Sequence, residues 1–190
     1  MMTIGGTLVR PDNDAVPTWD DVGYGLARIN RYAGATTSAW TVLQHSIACW
    51  TYAQTVRWPA IAQLHCLIHD AGEAVTGDVT NAWKSPDMKA LQDALDRRIW
   101  DAYQIPHPGG MVRAMVRFAD LAVLAAEVRR VGTPELRTKM AAWLGVDITY
   151  VDDDADAAVQ YARGFGALEA SRSGRMFVKV VERAITKARV

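Results

Sequence analysis

His69 and Asp70 are adjacent, and Glu73 follows the aspartate by three residues. If one helix carries all three, a rotation of about 100° per residue puts Glu73 one turn on, between the other two in angle. An imidazole nitrogen and carboxylate oxygens then address one spot, a mixture that suits a divalent cation of intermediate softness. An adjacent His-Asp pair can equally serve as a helix cap or a surface pair, so two further residues bear on the choice. His45 stands in an apolar stretch between Leu43 and Ile47, and Asp120 shares a stripe with Val116, Val123 and Leu124. A carboxylate on a buried face costs several kcal/mol unless a cation or hydrogen-bond donors compensate it. Read singly, His45 is a satisfied core histidine and Asp120 a partner of Arg113 or Arg117 on a solvated face. Read together, His45, His69, Asp70 and Asp120 offer two nitrogens and two oxygens from three helices and leave coordination positions open, the mark of a catalytic metal.

The elements that must present these groups are helical. Thr18 caps a helix from Trp19 to about Ala33, with Asp20 and Asp21 in its first turn and Gly34 as its stop. Thr41 to Val56 forms a mostly buried helix, and a third runs from Pro59 toward Gly72 or slightly beyond. A turn-rich loop covers Thr76 to Lys84. Ser85 and Pro86 open a helix to about Tyr103 with a stripe of Met88, Leu91, Leu95 and Ile99. The cluster Pro106, Pro108, Gly109, Gly110 separates it from Met111 to Val131, which Gly132 stops, and Thr133-Pro134 starts a shorter helix through Leu144. After an Asp-rich segment, Asp152 to Asp156, a last helix covers about Ser171 to Lys187. The runs Thr7 to Arg10 and Ile148 to Val151 read as extended loop. The fold class is all-α: an irregular segment over 1–17, a core over 18–132, and C-terminal helices over 133–190 packing on that core.

Composition narrows the function. The 190 residues are 50% hydrophobic and 22% charged, enough apolar surface for one globular core. Lys and Arg number 21, as do Asp and Glu, which removes the positive field that non-specific nucleic-acid binders use. The basic strip Arg172, Arg175, Lys179, Arg183, Lys187 and Arg189 reads as a solvated helix face or a subunit contact. Cys49 and Cys66, the two cysteines, form no CxxC pair and read as small core residues. No signal-like or membrane-spanning run is visible, and Phe118 to Val128 is interrupted by Asp120 and Glu127, so the expected location is cytoplasmic, with no membrane and no nucleic acid among the partners.

The order H…HD…D, in the segments VLQHSIA, LIHDAGEAVTGDVTNAWK and VRFADLAVLAAEV, resembles the HD superfamily of metal-dependent phosphohydrolases. Within it the sequence is most similar to the small bacterial 5'-deoxynucleotidases and their phage-encoded relatives, over about Arg28 to Arg130. The resemblance implies an all-helical HD-type core in which His45, His69, Asp70 and Asp120 ligate one divalent ion, cobalt, manganese, magnesium or zinc. It makes Glu73 the residue that orients or activates the attacking water and Asp78 a second acid near the leaving group. The segment INRYAG resembles the family's substrate-side arginine and following aromatic, here Arg31 and Tyr32, and Lys84 stands where that loop carries a lysine. Asn81-Ala82 departs from the prolines common at that place.

The implied substrate is a deoxynucleotide, and homo-oligomers are common in the family. Arg31 can bind two phosphate oxygens as a fork and Lys84 acts as a point charge. Trp40, Trp83 and Tyr32 offer flat surface against a base. His65 lacks the glutamate of an HExxH stripe and reads as structural, and His107 as loop. Two reactions remain open: hydrolysis of deoxynucleoside 5'-monophosphates to nucleoside and phosphate, and hydrolysis of deoxynucleoside triphosphates with release of triphosphate. Further cations at the pocket, Arg28 or Arg113, would favour the second. Ala74 after Glu73 speaks against alarmone hydrolysis, and the absence of an HHExxDGxGYP segment against cyclic dinucleotide hydrolysis. A catalytically inert helical binding module is the remaining reading, predicting no bound metal.

Overall fold

A computed structural model describes residues 2–3, 5–79, 83–144, 152–166 and 170–189. The described chain is helical, with isolated bridges but no strand: α1 Trp19–Leu26, α2 Val42–Thr55, α3 Ala60–Ile68, α4 Glu73–Thr76, α5 Pro86–Ala102, α6 Gly110–Val131, α7 Pro134–Leu144, α8 Asp153–Gly166 and α9 Ala170–Ala188. The middle of the molecule is α2, which packs against α3, α6 and α8, while α9 lies across α1 and α3. The core joins Leu26, Ile47, Leu67, Val123, Val159 and Phe177, all buried. Among the described residues no helix is long and apolar enough to cross a membrane.

Local chemistry explains most boundaries. Thr41 and Gln44 form a reciprocal capping box at the start of α2, and Ser85 caps α5 with Pro86 behind it. Thr18 and Asp21 form another box on α1, and Asp21 also accepts the Gly5 amide at 2.7 Å, tying the irregular N-terminus to the helix. Burial raises the Asp21 carboxyl, but hydrogen bonds from Gly5 and Thr18 outweigh it and hold it below the usual range. A carboxyl depressed in the folded state stabilises above its unfolded value and loses that contribution as pH falls through the folded one. Asp21→Asn is therefore expected to lower stability by about 1 kcal/mol at neutral pH and to flatten the acid limb of a melting-temperature profile.

Three elements differ from the sequence expectation. The first helix stops at Leu26 rather than Ala33, because Ile29 and Arg31 pair with the segment before α2: Arg31 N–H donates to Trp40 O at 2.8 Å and Val42 N–H to Ile29 O at 2.9 Å. The chain then makes a 3-10 turn, Arg31–Gly34, in which Tyr32 (φ 58°) and Ala33 (φ 50°) are left-handed. The third helix ends at Ile68, so His69 and Asp70 lie at a turn and Glu73 opens α4. The Asp-rich segment begins a helix that periodicity missed: Asp152 accepts the Ala155 amide at 3.0 Å, three acids occupy the first turn of α8, and Ala155, Ala158, Val159 and Ala162 bury its inner face. Arg130 on α6 clasps Asp156, Nε to Oδ1 at 2.6 Å. Leu8 takes part only in an isolated bridge with Met2, and residues 148–151 lie outside those described.

Candidate metal centre and adjoining cavity

Three elements bring four side chains to one point. His45 comes from α2, His69 and Asp70 from the turn after α3, and Asp120 from the middle of α6. His45 Nε2 lies 3.2 Å from His69 Nε2, 3.4 Å from Asp120 Oδ1 and 3.8 Å from Asp70 Oδ2, and His69 Nε2 is 3.4 Å from Asp70 Oδ2. Donor atoms about 2.1 Å from one ion, at the angles of tetrahedral or octahedral coordination, stand roughly 3.0–3.4 Å apart. His69 and Asp70 lie in a tight turn in which Ala71 N–H donates to Ile68 O at 3.0 Å, and from it both side chains reach His45.

The protons make the same case. His45 Nδ1 is 2.7 Å from Glu127 Oε1, and Glu127 is held low, at about 2, because His45 and Arg31 outweigh its burial. An ionised carboxylate only accepts, so Nδ1 of His45 donates. His69 Nδ1 likewise donates to the Cys66 carbonyl at 2.9 Å. Fixed this way, each ring turns its Nε2 toward the other ring and toward carboxylate oxygens, a donor set that a divalent cation would bridge. Burial and Arg31 oppose a positive charge on His45, yet Cys49, Glu127 and Asp120 prevail and raise it well above the imidazole range. Burial also opposes ionisation of Asp120, and His45, His69 and Arg31 pull it below the usual carboxylate range. The donor set thus fits a divalent ion. Cys49 Sγ is 3.5 Å from His45 Nε2, and the donor atoms of His45, Cys49 and His69 lie within 4.8 Å of one another. Burial pushes the Cys49 thiol to about 11, so the carboxylates are the better charged donors and Cys49 packs behind them.

A cavity of about 450 Å³ opens on this centre, lined by the charged Arg31, Asp70, Glu73, Asp78, Lys84, Arg117 and Asp120, by Tyr32, and by the apolar Val79, Leu124, Leu136, Met140 and Trp143. Arg31 is held between Glu127 (Nε to Oε2, 3.3 Å) and Asp70 (3.7 Å), and Lys84 Nζ is 3.6 Å from Glu73 Oε1. Burial, with Asp70 and Asp78 nearby, drives the Glu73 carboxyl up to about 9, and burial also raises Asp78. The Tyr32 hydroxyl donates to Glu127 Oε2 at 2.7 Å, which anchors the left-handed turn.

Other expectations need correction. Trp40 is 1% exposed and lies in the core beneath the Asn30–Thr41 bridge, so it presents no face to the cavity. Trp83 is 85% exposed and points into solvent, outside the lining. Arg28 stacks on Tyr24 beside a separate cleft and Arg113 binds the Pro108 carbonyl, so neither reaches the site. Arg117 does, 3.0 Å from Asp120. His65 is buried with Nε2 on Pro106 O at 2.9 Å, and His107 pairs with Asp101 at the surface.

Sequence reasoning missed two acids. Glu127 is fully buried and joins His45, Tyr32 and Arg31; its signal was a charge two turns after Asp120 in an apolar run. Asp96 Oδ1 accepts the Gly72 amide at 3.1 Å, and a Cβ at Gly72 would stand 2.8 Å from that oxygen. Asp96→Ala and Gly72→Ala are each expected to cost about 1–3 kcal/mol in chemical denaturation, with the double variant no worse than the more damaging single one.

No family model matches the chain. The uncharacterized protein YfdR of Escherichia coli (strain K12) is 32% identical over 115 residues, 60% of this chain and 60% of that relative's own length. The structure of the HD phosphohydrolase DatZ of cyanophage S-2L, bound to dA and one catalytic Zn2+ ion, aligns with a TM-score of 0.51 at 16% identity, covering 89% of this chain and 99% of that one. The chain has the all-helical fold of an HD phosphohydrolase.

Proposed function

We propose that the protein is a metal-dependent phosphohydrolase that converts deoxynucleoside 5'-monophosphates to deoxynucleoside and inorganic phosphate. The observation carrying this reading is the convergence of four ligand side chains, with His45 Nε2 3.2–3.8 Å from donor atoms of the other three, beside a cavity that also holds Arg31, Lys84 and Arg117. His45, His69, Asp70 and Asp120 would hold the ion. A bound divalent cation supplies charge neutralisation on the phosphoryl oxygens and makes a nearby water more acidic.

The remaining steps belong to the chain's own residues. Arg31, already oriented by Glu127 and Asp70, offers its guanidinium to phosphate oxygens, and Lys84 and Arg117 add positive charge around them. Glu73 takes the proton of the attacking water as oxygen bonds to phosphorus. The bond from phosphorus to the 5'-oxygen breaks, and Asp78, raised by burial, returns a proton to that oxygen.

Charge favours the monophosphate over the triphosphate. The lining sets three cations, Arg31, Lys84 and Arg117, against four acids, Asp70, Glu73, Asp78 and Asp120, so even with a divalent ion its excess positive charge is small beside the charge of a triphosphate. The dA in DatZ, a deoxynucleoside, is an organic product common to both reactions and supports the substrate class. Deoxynucleoside mono- and triphosphates assayed with Co2+, Mn2+, Mg2+ and Zn2+ test the reading, with Asp120→Ala as the inactive control. Inorganic phosphate from monophosphates is the expected product. Intact triphosphate released from triphosphates would replace this reading with the second one.

A further inference from the structure

We propose that α7 is the nucleobase platform of the cavity, the base lying on the Trp143 ring and the Met140 thioether; this rests on the proposed phosphohydrolase function. Leu136, Met140 and Trp143 are spaced by four and three residues, which sets them on one face of α7, and that face lines the cavity. Met140 also packs against the cluster of Leu124 and Val128 on α6, the helix that carries Asp120 and Glu127, so the wall is fixed relative to the metal centre. Arg137 Nε reinforces it by donating to the Val128 carbonyl at 3.3 Å.

The two ends of the cavity differ in chemistry. The charged lining residues come from the 3-10 turn, the stretch between α3 and α5, and α6, whereas those that α7 contributes, Leu136, Met140 and Trp143, are all apolar. A deoxynucleotide has the same division, an anionic phosphate at one end and a flat heterocycle at the other. Trp143 is 55% exposed and lines the cavity, so part of its ring is open to a ligand there. A tryptophan face and a polarisable sulfur suit a planar aromatic ring, and base stacking on such a face tolerates any base. Tyr32, the aromatic that the sequence offered for stacking, lines the same cavity with its hydroxyl tied to Glu127.

The test compares the full-length wild type, Trp143→Ala and Trp143→Phe on deoxyadenosine 5'-monophosphate, deoxycytidine 5'-monophosphate and base-free 2-deoxyribose 5-phosphate, with Mn2+. Trp143→Ala is expected to raise KM roughly 5- to 100-fold for both nucleotides and to leave KM for the sugar phosphate within about twofold, and Trp143→Phe to restore most of the loss. Equal changes on all three substrates, or none on any, overturn the proposal. Calorimetric binding of deoxyadenosine separates it from the reaction itself. If the wild type turns over nothing yet binds deoxyadenosine, and Trp143→Ala weakens that binding, the platform stands and the phosphohydrolase reading falls. If the wild type binds no deoxyadenosine, the platform falls.

Discussion

Glu127→Ala is expected to remove about 3–5 kcal/mol of folding stability and to weaken metal binding about 10- to 100-fold. The side chain is fully buried, and three groups depend on it: Nδ1 of His45, the Tyr32 hydroxyl and the Arg31 guanidinium. Its removal leaves the Arg31 charge, only 12% exposed, without its nearest counter-charge, and it frees the His45 ring to present the wrong nitrogen to the ion. It also releases the Tyr32 hydroxyl, which anchors a turn whose two left-handed residues cost of order 1–3 kcal/mol each. Denaturant midpoints with and without metal measure the first effect, and a competition titration with a chelator measures the second. Glu127→Gln keeps the volume and one acceptor, so it should fold better than the alanine variant while still binding metal more weakly. Undiminished metal affinity in Glu127→Gln would show that His45 is oriented by packing alone.

Glu73→Gln is expected to lower kcat by about 10²- to 10⁴-fold while metal affinity stays within a few-fold. Glu73 stands outside the four converging groups, yet it lines the same cavity beside Lys84, and its Oε2 is buried without a hydrogen-bond partner. Burial, Asp70 and Asp78 raise the Glu73 carboxyl, so its ionised form takes a proton from water readily, and positive charge at the adjoining site, from Arg31, Lys84 and a bound divalent cation, would favour that ionised form. The amide is isosteric and cannot do so. Phosphate release under saturating metal and a parallel metal titration separate the two quantities. An unchanged kcat would assign the proton to Asp78, and lost metal binding would make Glu73 a ligand.

Both residues show which kinds of information the chain carries in the open. Glu73 was legible because it sits at fixed spacing from His69 and Asp70 in a segment rich in other chemistry. Glu127 was not, since a single acid in an apolar helix reads as an interruption until its partners, 82 and 95 residues away, are known. The same divide separates the tryptophans: Trp40 precedes one motif segment and Trp83 lies within another, but the first is buried in the core and the second projects outward, while Trp143 reaches the cavity from a helix with no motif at all. Helix α8 was hidden for a different reason. Its inner face is built largely of alanines, whose periodic signal is weak, and it starts in a run of aspartates that reads as loop unless their capping role is weighed.

The sequence by itself determined the helical class and most capped boundaries from α2 to α7, and it marked the adjacent pair His69-Asp70 together with His45 and Asp120, two polar groups that intrude on apolar stretches. These come from local rules: side chains that cap amides, prolines and glycines that end helices, and the cost of burying a charge without a partner. The tertiary structure alone decided that the third helix breaks at His69, that Arg31 and Tyr32 are thrown inward by a left-handed turn, and that Glu127 locks both to His45. Each of those depends on contacts between distant segments, whose energies enter only when the helices have packed and water has left the space between them.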